Sequence, residues 1–289
     1  MRRIVLTLFA LLAAAAFTGH GQDLASELKG DVTFLSDPSM KGRATGEAGG
    51  QNAVFHIFRN FREAGLWTRV QSFEADGKQG HNVIGFTPGY FEDWIVVSAY
   101  FDGLGTVNDK SYPGADSNAS GVAALLSLAR QWPRNLGKTG IIYVAFDGHN
   151  VNMSGSEAFM KYLEQEGYPV RMAANMDIIG STQSPVKEDR PDYLIILGSP
   201  GTNYQFFRCN IGIDLHLSYD YYGSARFTEL FYKSMSDQKW FVQKKIPAVM
   251  FTSGITMDTN KMTDTPDKLD YEIMAKRVRL IERWIKSIL

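Results

Sequence analysis

Cysteine is almost missing from this chain: Cys209 is the only one in 289 residues. No disulfide can therefore close within the chain, even in an oxidising compartment. With no histidine near it in sequence, Cys209 reads as a small buried apolar residue, not a reactive thiol. An excess of charge is missing too. A net charge of −1 and a pI near 6.5 argue against nucleic acid or a polybasic attraction to membranes. Long apolar runs are limited to Ile4 to Phe17, whose 14 residues fall short of the roughly 20 that span a bilayer. No GxSxG, phosphate loop, CxxC or HExxH occurs, so the sequence shows no alternative catalytic apparatus of those kinds. Internal repeats, low-complexity segments and a second domain are not evident either.

What is present begins with a leader. Met1-Arg2-Arg3, the apolar run and then Thr18 to Gln22 have the charged, hydrophobic and small-residue parts of a secretory signal. No lipobox cysteine follows, so residues 1–22 are expected to be a signal peptide and residues 23–289 a soluble periplasmic or extracellular domain. At 44% hydrophobic residues, that length can bury one large core.

Periodicity gives the elements. A short helix is expected from Asp23, and a second over Gly50 to Leu66, where Val54, Ile57, Phe58, Phe61 and Leu66 recur at helical spacing. His56 lies off that stripe and reads as a surface residue. Val70 to Ala75 alternates like an edge strand, and His81 to Phe86 and Trp94 to Phe101 are expected to join it in a meander. Gly140 to Phe146 reads as a central strand. A helix over 154–166, strands near 171–179, 193–198 and 246–254, and a closing helix with a basic outer face over 271–289 complete the pattern. Strands alternating with helices predict a single-domain α/β fold, a mostly parallel mixed sheet with helices on both faces. The aromatic-rich region 204–241 has no clean period past residue 213. Core or loop packing is its first reading, with Tyr219 to Phe231 able to line a cleft mouth.

The stretch from Asp93 to Gly121 carries the most specific signal. A buried strand leads to a loop holding Asp102 and Asp116, and a helix starts near Asn118 to Ser120. Ligands of open α/β sheets bind beyond the carboxyl ends of the strands. Ala99-Tyr100-Phe101-Asp102 and Gly114-Ala115-Asp116-Ser117-Asn118-Ala119-Ser120-Gly121 resemble the AHYD and GADDNASG motifs of the secreted di-zinc aminopeptidases. That clan of zinc exopeptidases includes the bacterial leucyl aminopeptidases and glutaminyl cyclases. Further similarity runs through Lys41 to Gly46, His81 to Gly85, Asn175 to Gly180, Ile246 to Gly254 and Thr265 to Lys268, so it covers roughly residues 30 to 289.

The resemblance implies a site, and this chain departs from it. Tyr100 stands for a zinc-binding histidine, and a phenol is a poor zinc ligand at neutral pH. Asp116 matches the bridging aspartate and Asp177 a second zinc-binding aspartate. The family's FDGEE reads Phe146-Asp147-Gly148-His149-Asn150, which puts His149 at the general-base position and Asn150 at a ligand position. Asn260 falls where another histidine ligand belongs, and the family's Ser-Asp-His is Ser236-Asp237-Gln238. Too few anionic and imidazole donors remain for two zinc ions, and no cofactor is expected. One hard cation, calcium or magnesium, could still sit among Asp116, Asp177, Asn150 and Asn260, with Asp102 or Asp264 nearby; His149 could then act as a base. Without metal, the facing carboxylates call for a hydrogen-bonded Tyr-Asp-His-Asn cluster.

Three functions stay open. The first is a non-catalytic aminopeptidase relative that binds a peptide, an amino terminus or another small ligand in the inherited cleft. The second is an active metallo-aminopeptidase or related hydrolase with an atypical metal site, and the third a structural or interaction module of the cell envelope.

Overall fold

The computed structural model describes residues 23–198 and 203–289; the leader expected over residues 1–22 lies outside them. The centre of the fold is set by β3 (Asp93–Tyr100) and β6 (Thr139–Phe146), which pair in parallel and are almost entirely buried. Their β-branched residues alternate between two cores, as a strand covered on both faces requires. Ile95, Val97, Ala99, Ile141 and Tyr143 point into one core, and Trp94, Val96, Tyr100, Ile142 and Val144 into the other.

Outward from this pair, the strand order among the described residues is β1-β2-β6-β3-β7-β10-β8-β9. Here β1 is Trp67–Ala75, β2 Lys78–Phe86, β7 Val170–Met176, β8 Tyr193–Leu197, β9 His216–Ser218 and β10 Ala248–Thr252. The strands β6, β3, β7 and β10 run parallel, while β1–β2, β2–β6 and β8–β10 are antiparallel. The sheet is thus mostly parallel and mixed, with β1 at the edge as its alternation predicts. The expected meander does not form, because β6 inserts between β2 and β3. A separate two-stranded ribbon, β4 (Thr106–Val107) and β5 (Lys110–Ser111), decorates the loop after β3.

Helices cover both faces. Helix α1 (23–35), α2 (Ala48–Glu63), α3 (Ser120–Arg130), α5 (Asn203–Asn210) and α8 (Tyr271–Ile288) supply residues to the first core. Helices α4 (Ser154–Glu166) and α7 (Lys239–Gln243) close the second. A third cluster joins Tyr193, Ile195 and Leu197 to Tyr221, Met250 and Phe231, the last from α6 (Ala225–Ser234). The aromatic region therefore splits: Tyr221 and Phe231 are core, whereas Tyr222 and Phe227 are exposed.

One expectation about a charged side chain is corrected, and one arginine of α8 lies off its basic outer face. His56 is buried, not on the surface; it stacks on Phe34 at 4.2 Å and lies 3.6 Å from Asp31, which Arg130 also engages. On α8, Arg277 turns inward and donates to the carbonyls of Tyr193, Ile179 and Ser181. Cys209 is buried, as expected. No helix among the described residues is long and apolar enough to cross a membrane.

Candidate functional site

The loops that leave the carboxyl ends of β3, β6 and β7 meet at one place, and their backbones are tied there by aspartates. Asp102, just after β3, accepts the N–H groups of His149 and Asn150 at 2.8 and 2.9 Å. Asp264 accepts those of Asp116 and Ser117 at 2.8 and 3.0 Å. Asp116 in turn accepts those of Gly180 and Ser181 at 2.7 and 3.2 Å. Each carboxylate thus has both oxygens engaged by backbone donors that the loops would otherwise leave unpaired.

Burial pushes the Asp102 carboxyl up to about 6, with Asp147 adding to it and His149 opposing. Burial and then Asp264 push Asp116 up to about 7, against the lowering by the Gly180 N–H. Arg43, wholly buried, crosses beneath these loops and donates to the carbonyls of Leu35, Phe101, Pro113 and Gly114. Burial draws its pKa down to about 10, while Asp264 and Asp102 pull the other way, so it remains charged near neutral pH.

What faces the cleft differs from the set the motifs imply. Asp116 is not in it, because its carboxylate is turned onto Gly180 and Ser181. The next residue, Ser117, presents its hydroxyl instead. The Tyr100 phenol and Ser117 Oγ share a hydrogen bond at 3.3 Å, and Ser117 donates to Asn260 Oδ1 at 3.2 Å. Asn150 is also elsewhere: its amide donates to the Asp102 carboxylate at 3.1 Å. The hard-cation set of Asp116, Asp177, Asn150 and Asn260 is therefore not assembled, since Asp116, Asn150, Asp102 and Asp264 each face other partners.

His149 occupies the middle. Its ring stacks on Tyr100 at a centroid distance of 3.6 Å and an angle of 9°. Its Nδ1 lies 2.8 Å from Asp237 Oδ2, and the other oxygen of Asp237 accepts from Ser156 at 2.5 Å. The His149 side chain is 16% exposed and that of Asp237 is fully buried. Burial lowers the imidazole pKa, but the charge and hydrogen bond of Asp237, with Asp177 and Asp102 beyond it, outweigh that and push it up to about 9. A proton held this way by Asp237 makes His149 a poor base near neutral pH.

Asp177, at the end of β7, is buried with its Oδ1 unpaired. Burial raises its pKa, and His149 beside it acts in the opposite direction. Burial and then Asp177 raise the Tyr100 pKa well above 10, so the phenol stays protonated.

The expected Tyr-Asp-His-Asn cluster is thus two linked pieces: a Tyr100-Ser117-Asn260 chain and a His149-Asp237 pair. Asp237 comes from a run, Ser236 to Gln238, with no exposed surface. Asn175 on β7 pins that run by donating to Ser236 and Gln238, both at 3.0 Å. In the sequence Asp237 carries no signal of its own, because the departure from the family motif falls on the next residue, Gln238. Ser117 was hidden by its neighbour, since only the turn geometry decides which side chain faces inward.

Two zinc ions held close together need several carboxylates and imidazoles. Here the site offers one carboxylate with a single unpaired oxygen, that of Asp177, beside a protonated phenol, a hydroxyl, an amide and an imidazole whose surroundings favour its proton. These residues do not fit a di-zinc centre. Among the described residues, no group of three or more His, Cys, Asp or Glu comes together as a metal cradle.

The fold that brings these loops together is shared with solved structures. BSAP, a zinc aminopeptidase from Bacillus subtilis, matches with a TM-score of 0.73 at 14% identity, over 91% of this chain and 94% of that one. The Legionella pneumophila LapA aminopeptidase matches at 0.76 and 14%, over 93% and 73%. A Porphyromonas gingivalis glutaminyl cyclase matches at 0.74 and 16%, over 92% and 98%. At these identities the likeness is one of fold.

The sequence is more specific. Residues 82–285 match the model of peptidase family M28, and the chain belongs to that family. An uncharacterised protein of Escherichia coli (strain K12), YfbL, is 30% identical over 210 residues, a match spanning 64% of each chain.

Proposed function

We propose that this chain is a non-hydrolytic member of peptidase family M28, exported to the cell envelope, whose inherited cleft binds the amino terminus of a peptide or a similar small amine. The observation that carries this reading is the pairing of His149 with the buried Asp237 at 2.8 Å and its stack on Tyr100, surroundings that favour an imidazolium. A cation built into the chain disfavours metal cations beside it and cannot take a proton from water. The unpaired Oδ1 of Asp177 supports the binding half, because a buried carboxylate oxygen without a donor is an acceptor for a ligand ammonium. Export rests on the leader read in residues 1–22.

The test uses the mature chain with added zinc and an aminoacyl-nitroanilide, alongside melting curves with short peptides. No chelator-sensitive turnover is expected. A rise in melting temperature is expected with free amino termini and not with acetylated ones. Zinc-dependent hydrolysis would overturn the first half of the proposal, and equal melting temperatures with all peptides the second.

A further inference from the structure

The far end of the sheet holds a cavity unrelated to the candidate site. Trp94 lies near the start of β3 and Tyr100 ends it, which separates the two regions by roughly 20 Å at about 3.3 Å per strand residue. The cavity has a volume of about 770 Å³. Its floor is a set of rings packed on one another. Trp94 meets Phe86, Phe91 and Tyr168 edge to face, at centroid distances of 5.7, 5.1 and 5.7 Å.

Two further rings stand apart from this floor. Trp67 is 57% exposed and Tyr90 wholly exposed, and neither stacks on another ring among the described residues. The cavity also carries charge. The Arg62 guanidinium lines it and has no hydrogen-bond or ion-pair partner among the described residues. Arg69 lies over the Tyr162 ring at 4.8 Å and donates to its hydroxyl at 2.7 Å. Glu166 is the one acidic group in the lining, so a single positive charge is in excess.

This combination selects among ligand chemistries. A purely apolar ligand would leave two guanidinium groups and a carboxylate desolvated at its edge. A bare anion would gain nothing from unstacked aromatic faces. A ring with apolar C–H faces, hydroxyl edges and one carboxylate uses all of them. We propose that this cavity binds an acidic saccharide, a pyranose bearing a carboxylate, with its C–H face on Trp67 and its carboxylate taken by Arg62. The guanidinium fork suits that anion bidentately, and Glu166 accepts from the sugar hydroxyls.

Calorimetric titration of the mature chain with a glucuronate-containing tetrasaccharide, set beside a neutral tetrasaccharide, tests this. Saturable binding of the acidic sugar is expected, with the neutral one weaker by about tenfold or more. Trp67→Ala should abolish binding and leave the melting temperature unchanged, because the indole is more than half exposed. Arg62→Ala should bring the acidic sugar down to the neutral level. The proposal is overturned by no heat of binding at millimolar sugar, by equal affinity for both sugars, or by wild-type affinity in Trp67→Ala.

Discussion

His149 lies 2.8 Å from the buried Asp237, whose charge and hydrogen bond favour its protonated form. Its pKa of about 9 against an unfolded value near 6.5 corresponds to roughly 3 kcal/mol favouring the charged form. Because the folded value is the higher one, that stabilisation is complete below about pH 6.5 and is lost as pH rises towards 9. Asp237→Asn keeps the shape of the pair and removes its charge. In a histidine NMR titration, the His149 pKa should fall by a unit or more in this variant. The wild-type loss of stability between pH 6.5 and 9, measured by urea unfolding, should shrink with it. An unchanged His149 pKa in Asp237→Asn would mean that some other group holds the proton.

The loops around His149 keep their shape through buried polar side chains more than through regular structure. Asn118 is the clearest case. Its amide donates to the carbonyls of Tyr100 and Met176 at 3.2 and 3.0 Å, and its Oδ1 accepts from Gly121 and Ile178 at 3.1 and 2.9 Å. These four bonds join the end of β3, the end of β7 and the first turn of α3. They also hold Ile178 at φ +59°, a left-handed conformation that a β-branched residue adopts only under constraint. Asn118→Ala should cost about 3–5 kcal/mol in urea unfolding, since several buried groups lose partners together. A loss under about 1 kcal/mol would show that the loops are held by other means. Arg43 and the aspartates Asp102, Asp116 and Asp264 do related work in neighbouring loops, which is why carboxylates close to the cleft do not serve as ligands in it.

Across the whole molecule, the layered α/β fold was legible because strand and helix periods are local. The alternation in Ile95, Val96 and Val97, and the helical recurrence in Ile57, Phe58 and Phe61, needed only a few residues each. Pairing partners are not local. That β6 lies between β2 and β3 depends on a crossover which no short window records, so the meander expectation failed. His56 misled for a similar reason: its burial comes from Phe34 and Asp31 on α1, beyond the period of its own helix. At the site, Tyr100, His149, Asp177 and Asn260 could be placed by motif, whereas the pairing of His149 with Asp237 spans 88 residues and needed the fold. The choice between Asp116 and Ser117 rested on the turn between Gly114 and Ala119, where a one-residue difference reverses which side chain enters the cleft.

The proposed replacement of a pair of dications by one protonated histidine is tested most directly by metal content. The purified protein, dialysed against micromolar zinc at pH 7.5 and then against zinc-free buffer, should retain well under one zinc per chain by elemental analysis. Two tightly held zinc ions per chain, released only by a chelator, would contradict it.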